Sequence, residues 1–360
     1  MFDILNLQPN RVSTNLTSYT NMIFGNAKAG KSTLAYELFK EEGLFLGFED
    51  GTRALAGAFA IPVTSWEDLV RDKKVVDPLT GEVTKTQSIN KQLNNQAVKD
   101  RFKVLIIDTV DLMYDAATKY ICKQEGVEDI LDIPYGKGLK LVDDLFKEQL
   151  LSWERNGYKL FFISHAEDRK MEIKDYKGVV RETTKYLPSL HKRAFKIVSK
   201  MVDNIFFAYV KIQEDQTEKR VVFTRETNNY FAGSRFKHLP EELPLDAKEI
   251  QNAISKAIEQ ESLTTSDVTS NAALKTDEAN FETFEEVKNK VVSLVKEKFA
   301  NGNMDIVSEI TEKQLGKGAK ITSATEENID ALDVIFEYLT KYTKNNTNKN
   351  INGTTEISVI

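Results

Sequence analysis

The stretch "FGNAKAGKSTLAYEL", residues 24–38, decides how the rest of the chain is read. Gly25, Gly30, Lys31 and Ser32 fit the spacing G-x-x-x-x-G-K-[ST]. Before it, "SYTNMIFG" (18–25) reads as a buried strand, and after it "KSTLAYELFKEE" (31–42) reads as a helix. A strand, a glycine-bearing turn and a helix opening on Lys-Ser form the context in which this pattern cradles phosphates. Glycine lets main-chain amides curl around phosphate oxygens, and the helix N-terminus adds partial positive charge. The candidate nucleotide-binding residues are therefore Gly25, Asn26, Ala27, Lys28, Ala29, Gly30, Lys31, Ser32 and Thr33. Lys31 suits the β- and γ-phosphates and the Ser32 hydroxyl suits Mg²⁺, so ATP and Mg²⁺ are the expected ligands.

A metal beside Ser32 needs an acid at the end of another buried strand, and "VLIIDT" supplies Asp108. Taken alone, that residue is equally a simple strand-end acid. Hydrolysis also needs a group to orient or deprotonate water. The position after Asp108 is Thr109, so the AAA+ pattern of an Asp-Glu pair is not met. The strand "GLFLGFED" (43–50) offers Glu49 instead, with a solvated acidic turn before Gly51 as the plain alternative. His165 ends "YKLFFISH" (158–165), where a polar group can sense a γ-phosphate or simply finish a strand.

Working outward, short apolar runs alternate with amphipathic stretches over the first two-thirds, which predicts an α/β core with a mainly parallel sheet. "FKVLIIDT" (102–109) is almost continuously apolar, a long helix lies within 133–157, and "VDNIFFAYVKI" with "KRVVFTRE" forms a hairpin around 213–218. The core is expected over 1–258, with 72–101 as a polar, loop-like insertion. Residues 259–280, rich in Ser, Thr, Asp and Asn, read as a flexible linker. Helical spacing returns in 281–343, a small helical domain, and 344–360 reads as a disordered tail.

The chain has 360 residues, 41% hydrophobic content and a formal net charge of -6, so any polyanion contact must be local. A single cysteine, Cys122, allows no internal disulfide, and zinc spacing is absent among one Cys and three His. No secretion signal is recognisable and no apolar run approaches the roughly 20 residues of a bilayer span. The expectation is a soluble chain of a reducing, cytoplasmic compartment with no membrane partner.

Together "FGNAKAGKSTLA", "LFLGFEDGTRAL", "FKVLIIDTVD", "PYGKGLKLVDDL" and "LFFISHAEDRK" resemble the RecA-like P-loop ATPases carried by bacteriophages, and among them the Sak-type single-strand annealing proteins. The resemblance spans roughly residues 18–255. It implies an ATP-hydrolysing, oligomeric, single-stranded DNA-binding core used in phage recombination, annealing or replication, in a ring or filament in the bacterial host cytoplasm. It implies Lys31 and Ser32 at the nucleotide, Glu49 as base, Asp108 at the metal and His165 as sensor. In "YFAGSRFKHLPEEL" (230–243), Arg235 matches the arginine of a K-x-R pair that reaches a neighbouring subunit's nucleotide, but Gly233 stands where the lysine belongs.

After His165 the chain carries Arg169, Lys170, Lys174, Lys177, Arg181 and Lys185, then Lys192, Arg193 and Lys196, against fewer acids and with Tyr176 and Tyr186 interleaved. Cations along a backbone and rings for base stacking are what single-strand binding uses, so this stretch is the candidate DNA contact. A charged hairpin without a ligand is the plain alternative. Lys73, Lys74, Lys85, Lys91 and Arg101 in the insertion form a second candidate. The C-terminal module has more acids than bases and is expected to bind protein, for example a single-strand-binding or replication protein. A RecA-like helicase or helicase loader, a P-loop nucleotide or small-molecule kinase, and a scaffold with structural ATP stay open as alternatives.

Overall fold

The computed structural model describes residues 12–76, 83–174, 180–264, 283–300 and 302–352. Its strands are β1 (Asn21–Gly25), β2 (Gly43–Gly47), β3 (Phe59–Pro62), β4 (Lys73–Val76), β5 (Val83–Thr86), β6 (Val104–Asp108), β7 (Lys159–Lys174), β8 (Val180–Pro188), β9 (Asn204–Ile212), β10 (Glu218–Phe223), β11 (Gly233–Ser234) and β12 (Glu242–Pro244). The helices are α1 (Lys31–Phe39), α2 (Trp66–Val70), α3 (Ile89–Leu93), α4 (Gln96–Arg101), α5 (Val110–Glu125), α6 (Lys137–Arg155), α7 (Lys192–Met201), α8 (Ala247–Thr264), α9 (Phe284–Lys298), α10 (Met304–Leu315) and α11 (Ile329–Asn352). None of the described helices is long and apolar enough to cross a membrane.

The main sheet runs β12-β10-β9-β1-β7-β6-β2-β3, with β8 added to β7 and β11 to β9. From β9 to β3 all neighbours are parallel, and β10 and β12 close one side in antiparallel fashion. This is the α/β core with a mainly parallel sheet expected from the sequence. Strands in such a sheet are covered on both faces, which is why β1 and β6 are buried at every residue. One face packs Ile23, Ile106, Phe161, Ile163 and Phe206 against Leu34 and Phe39 of α1 and Ile250 and Ile254 of α8. Alternate residues such as Phe24, Ile107, Phe162 and Phe207 are buried too. The chain passes from β1 to β2 in one direction along the sheet and from β6 to β7 in the other. Right-handed crossovers then put α1 on one face and the part of α6 that belongs to the same unit as the sheet (146–155) on the opposite one.

The chain divides into two compact units, Met1–Ala117 with Phe146–Leu274, and Thr118–Leu145 with Lys275–Ile360. The second has its own core of Val291, Phe299, Ile310, Leu332, Ile335 and Leu339. α9 begins at a capping box in which Thr283 and Glu286 exchange hydrogen bonds. Gln314, 2% exposed, accepts from the Gly136 amide at 2.9 Å and donates to the Leu131 carbonyl at 3.2 Å. Those bonds tie residues before α6 to the C-terminal helices, so the helical unit is not confined to 281–343.

Other boundaries also shift. The 72–101 insertion is structured: β4 and β5 pair as a hairpin, and α3 and α4 follow, capped by Ser88 and Asn95. Its apolar residues are too few to show a period. Ile89 and Leu93 nevertheless reach the core, and Asn90 accepts from the Trp153 indole at 2.9 Å. α8 continues to Thr264 within the expected linker, and α11 continues to Asn352 within the expected tail. The remainder of those segments, 265–280 and 353–360, lies outside the described residues.

Candidate functional site

β1 approaches β9 so closely at Gly25 that a Cβ there would collide with the Ala208 carbonyl oxygen. The chain then turns through Asn26, Ala27 and Lys28, all exposed, into buried Ala29 and left-handed Gly30, whose φ is 102°. Gly30 precedes α1 with no side-chain cap, so the first-turn amides keep their donors for an anion. Lys31 is 5% exposed, and its ammonium donates to the carbonyls of Gly25 and Asn26 at 2.9 Å each, which centres the charge within the loop. Thr33 is exposed one residue beyond Ser32.

Register brings the other groups to this edge. Gly25 lies beside His165 across β1 and β7, and Asp108 lies beside Gly47 across β6 and β2. The turn after β2 is held by the Phe48 and Glu49 amides, which both donate to the Asp108 carbonyl, at 2.7 and 3.0 Å. Glu49 is thereby set next to Asp108, and its Oε2 meets His165 Nε2 at 3.0 Å. Ser32 Oγ donates to Asp108 Oδ2 at 2.7 Å. Lys31, Ser32, Glu49, Asp108 and His165 thus converge on one end of the sheet.

Burial pushes the Asp108 carboxyl above its ordinary range; the Ser32 hydroxyl opposes that shift and nearby Glu49 adds to it. Burial also pulls the Lys31 ammonium down, against the opposing charges of Asp108, Glu49 and Asp111. Gly51, unremarked in the sequence except as a turn residue, completes the cradle. A Cβ on it would stand 3.0 Å from Asp108 Oδ2 and 3.6 Å from Ser32 Oγ. A hydroxyl, a carboxylate and space beside them form an oxygen-only donor set that fits Mg²⁺. No group of three or more His, Cys, Asp or Glu suited to a metal occurs among the described residues. Ser32 and Asp108 are the residues that would hold a magnesium ion, with phosphate and water left to supply its other ligands.

The sequence profile described as AAA domain (AAA_24) matches residues 17–236. The chain belongs to this family. It is a nucleotide-binding P-loop ATPase domain, and its membership holds although Thr109 rather than Glu follows Asp108. The chain is also 29% identical over 354 residues to the SPbeta prophage-derived protein YorG of Bacillus subtilis (strain 168), covering 94% of this chain and 97% of that one. Among solved structures it is similar to a KaiC-like protein of Pyrococcus horikoshii OT3, with 12% identity, TM-score 0.34 and coverage of 63% and 84%. The flagellar accessory protein FlaH of Methanocaldococcus jannaschii gives 10% identity, TM-score 0.30 and coverage of 62% and 83%.

Two groups of expected residues stand apart from the AAA-domain site. Arg235 pairs with Asp203 at 2.9 Å, and Asp203 accepts from the Thr20 amide at 3.0 Å. Both acceptor and amide precede their strands, so Arg235 lies at the opposite end of β1 from the phosphate loop of its own chain. The basic stretch after His165 is a two-stranded ribbon in which Ala166 pairs with Pro188 and Lys174 with Val180. Many of its charges are matched: Arg169 with Glu167, Lys170 with Glu182 at 3.7 Å, and Lys185 with Glu226. Tyr186 is stacked on Phe207, with ring centres 5.4 Å apart. Tyr176 and Lys177 lie outside the described residues, whereas Lys174 and Arg181 are placed on the ribbon backbone. In the insertion, Lys73 pairs with Asp68, Lys91 with Asp72 at 2.7 Å, and Arg101 lies over the Phe59 ring at 4.3 Å.

Proposed function

We propose that this AAA domain hydrolyses ATP with Mg²⁺ and couples the turnover to single-stranded DNA in phage recombination, annealing or replication. The observation that carries the hydrolytic part is the Glu49–His165 contact at 3.0 Å beside the Ser32–Asp108 pair. Loop amides and Lys31 bind the phosphates; Ser32 and Asp108 would hold Mg²⁺, which would supply charge compensation for the phosphate oxygens. Glu49 accepts a proton as the water oxygen bonds to the γ-phosphorus and the bond to the β–γ bridging oxygen breaks. His165 orients Glu49 and meets the γ-phosphate end.

The DNA part rests on the ribbon rising from His165, on its cations, and on the resemblance to Sak-type annealing proteins; the prophage origin of YorG supports a phage setting. The Lys170–Glu182 pair is exposed, and such pairs contribute only about 0–1 kcal/mol, so a phosphate backbone can displace that carboxylate. In a ring or filament, Arg235 of one subunit serves a neighbour's nucleotide. The C-terminal unit binds a replication or single-strand-binding protein.

An ATPase assay with and without a single-stranded oligonucleotide, run beside a gel shift, tests this reading. Hydrolysis that rises with DNA and a retarded DNA band are expected. Hydrolysis with neither stimulation nor retention removes the DNA part, and duplex unwinding moves the assignment to a helicase. Phosphoryl transfer to a nucleoside monophosphate makes it a kinase.

A further inference from the structure

Asp111 stands outside the residues assigned above to the nucleotide and the metal, yet it is the most connected acid near the site. It sits in the first turn of α5, three residues beyond Asp108. Its Oδ1 accepts from Ser164 Oγ at 2.8 Å and from Ser189 Oγ at 2.8 Å, and its Oδ2 faces the His165 amide at 3.4 Å. These donors come from the two feet of the β7–β8 ribbon. Ser164 and His165 stand just before its first pair, Ala166 with Pro188, and Ser189 stands just after it. The Ser189 amide also donates to the His165 carbonyl at 2.9 Å, so the two feet are joined directly as well.

A charged acceptor with hydroxyl donors makes stronger hydrogen bonds than a neutral pair. Ser164 is fully buried, so losing that acceptor leaves its hydroxyl to the His165 carbonyl alone, at 3.2 Å. The main chain of His165 is thereby fixed from one side by β1 pairing and from the other by Asp111. Its imidazole is the group that meets Glu49.

We infer that Asp111 is a positioning residue that clasps both feet of the ribbon and thereby sets His165 against Glu49. A ligand that shifts the ribbon acts on the catalytic pair through this carboxylate. The inference deepens the hydrolytic reading above and rests on it for its kinetic consequence. The clasp itself is a statement about the fold.

The test compares wild type with Asp111→Asn, which preserves size, and with Ser189→Ala, which removes one donor and leaves the acid. Two readouts are taken: steady-state ATP hydrolysis, and hydrogen–deuterium exchange of the amides at His165 and Ser189. Asp111→Asn is expected to lower kcat by about 10–100-fold through misplacement of His165, with KM for ATP unchanged. Both amides should exchange faster, and Ser189→Ala should accelerate the Ser189 amide with a smaller loss of kcat. Unchanged exchange in both variants overturns the clasp; faster exchange with unchanged kcat overturns the positioning role. A wild-type chain with no hydrolysis at all refutes the functional reading instead, and exchange alone then decides the clasp. Should Asp111→Asn fail to fold, Ser189→Ala carries both readouts.

Discussion

At the residue scale, Lys31, Glu49, Gly51 and Asp108 do different work and should fail differently. Lys31→Ala removes a buried cation from the loop, and nucleotide affinity measured by calorimetry should drop about 10–100-fold. Glu49→Gln should bind nucleotide normally while kcat falls by about 10²–10⁴-fold in a phosphate-release assay. Gly51→Ala pushes a methyl toward Asp108 Oδ2, so a magnesium titration of ATPase activity should need about tenfold more metal. Asp108 also ties the fold to pH. Its folded pKa is raised above 3.8, so the folded chain binds more protons than the unfolded one in that window. Its contribution is therefore lost as pH rises through it. Asp108→Asn should raise the Tm of the nucleotide-free chain near neutral pH, and the gain should vanish below the ordinary Asp range. Lys31 shifts the other way: its folded pKa is lowered below 10.5, so its contribution grows with pH from that folded value up to 10.5.

At the element scale, the ribbon is the least settled part of β7. The strand's first residues are buried between β1 and β6, whereas Met171 is 43% exposed. Beyond His165, Arg169, Lys170 and Lys185 each face a nearby carboxylate, and the proposed DNA binding would exchange those partners for phosphates. Lys170→Gln should therefore weaken single-strand affinity modestly, and should flatten the slope of log K against log salt by about 0.7–1. Fluorescence anisotropy over a salt series measures both. An unchanged slope places the DNA elsewhere. α1 behaves in the opposite way. Its buried Leu34, Ala35 and Phe39 anchor it on the sheet, so its open N-terminus is held still rather than formed on demand.

At the scale of the whole molecule, the cut along the sequence is not the cut in space. The C-terminal unit takes Thr118–Leu145 from the middle of the chain, and Gln314 fixes Leu131 and Gly136 into it. Leu332, fully buried, lies in that unit's core. Leu332→Ala should cost the unit about 2–5 kcal/mol in denaturant unfolding while the phosphate loop still binds nucleotide. A chain ending near residue 264 loses α9–α11 but keeps Ile130, Leu131 and Ile133, buried in the full chain. It should aggregate on a sizing column where the full chain does not.

Local chemistry made the phosphate loop legible in one dimension, because Gly25, Gly30, Lys31 and Ser32 act within a single strand-turn-helix. The acids at strand ends were legible for the same reason: Asp108 and Glu49 each close an apolar run. Only folding could decide that Gly51 backs the Ser32–Asp108 pair, that Asp111 clasps the ribbon, or that Arg235 sits at the far end of β1 from the phosphate loop. Each of these depends on strand order and register, which bring residues far apart in the chain within hydrogen-bond reach. The composition of a segment carries no record of its neighbours across the sheet. The inclusion of residues 118–145 in the second unit was hidden likewise, because they carry helical spacing of their own and nothing in that spacing names the surface that buries them.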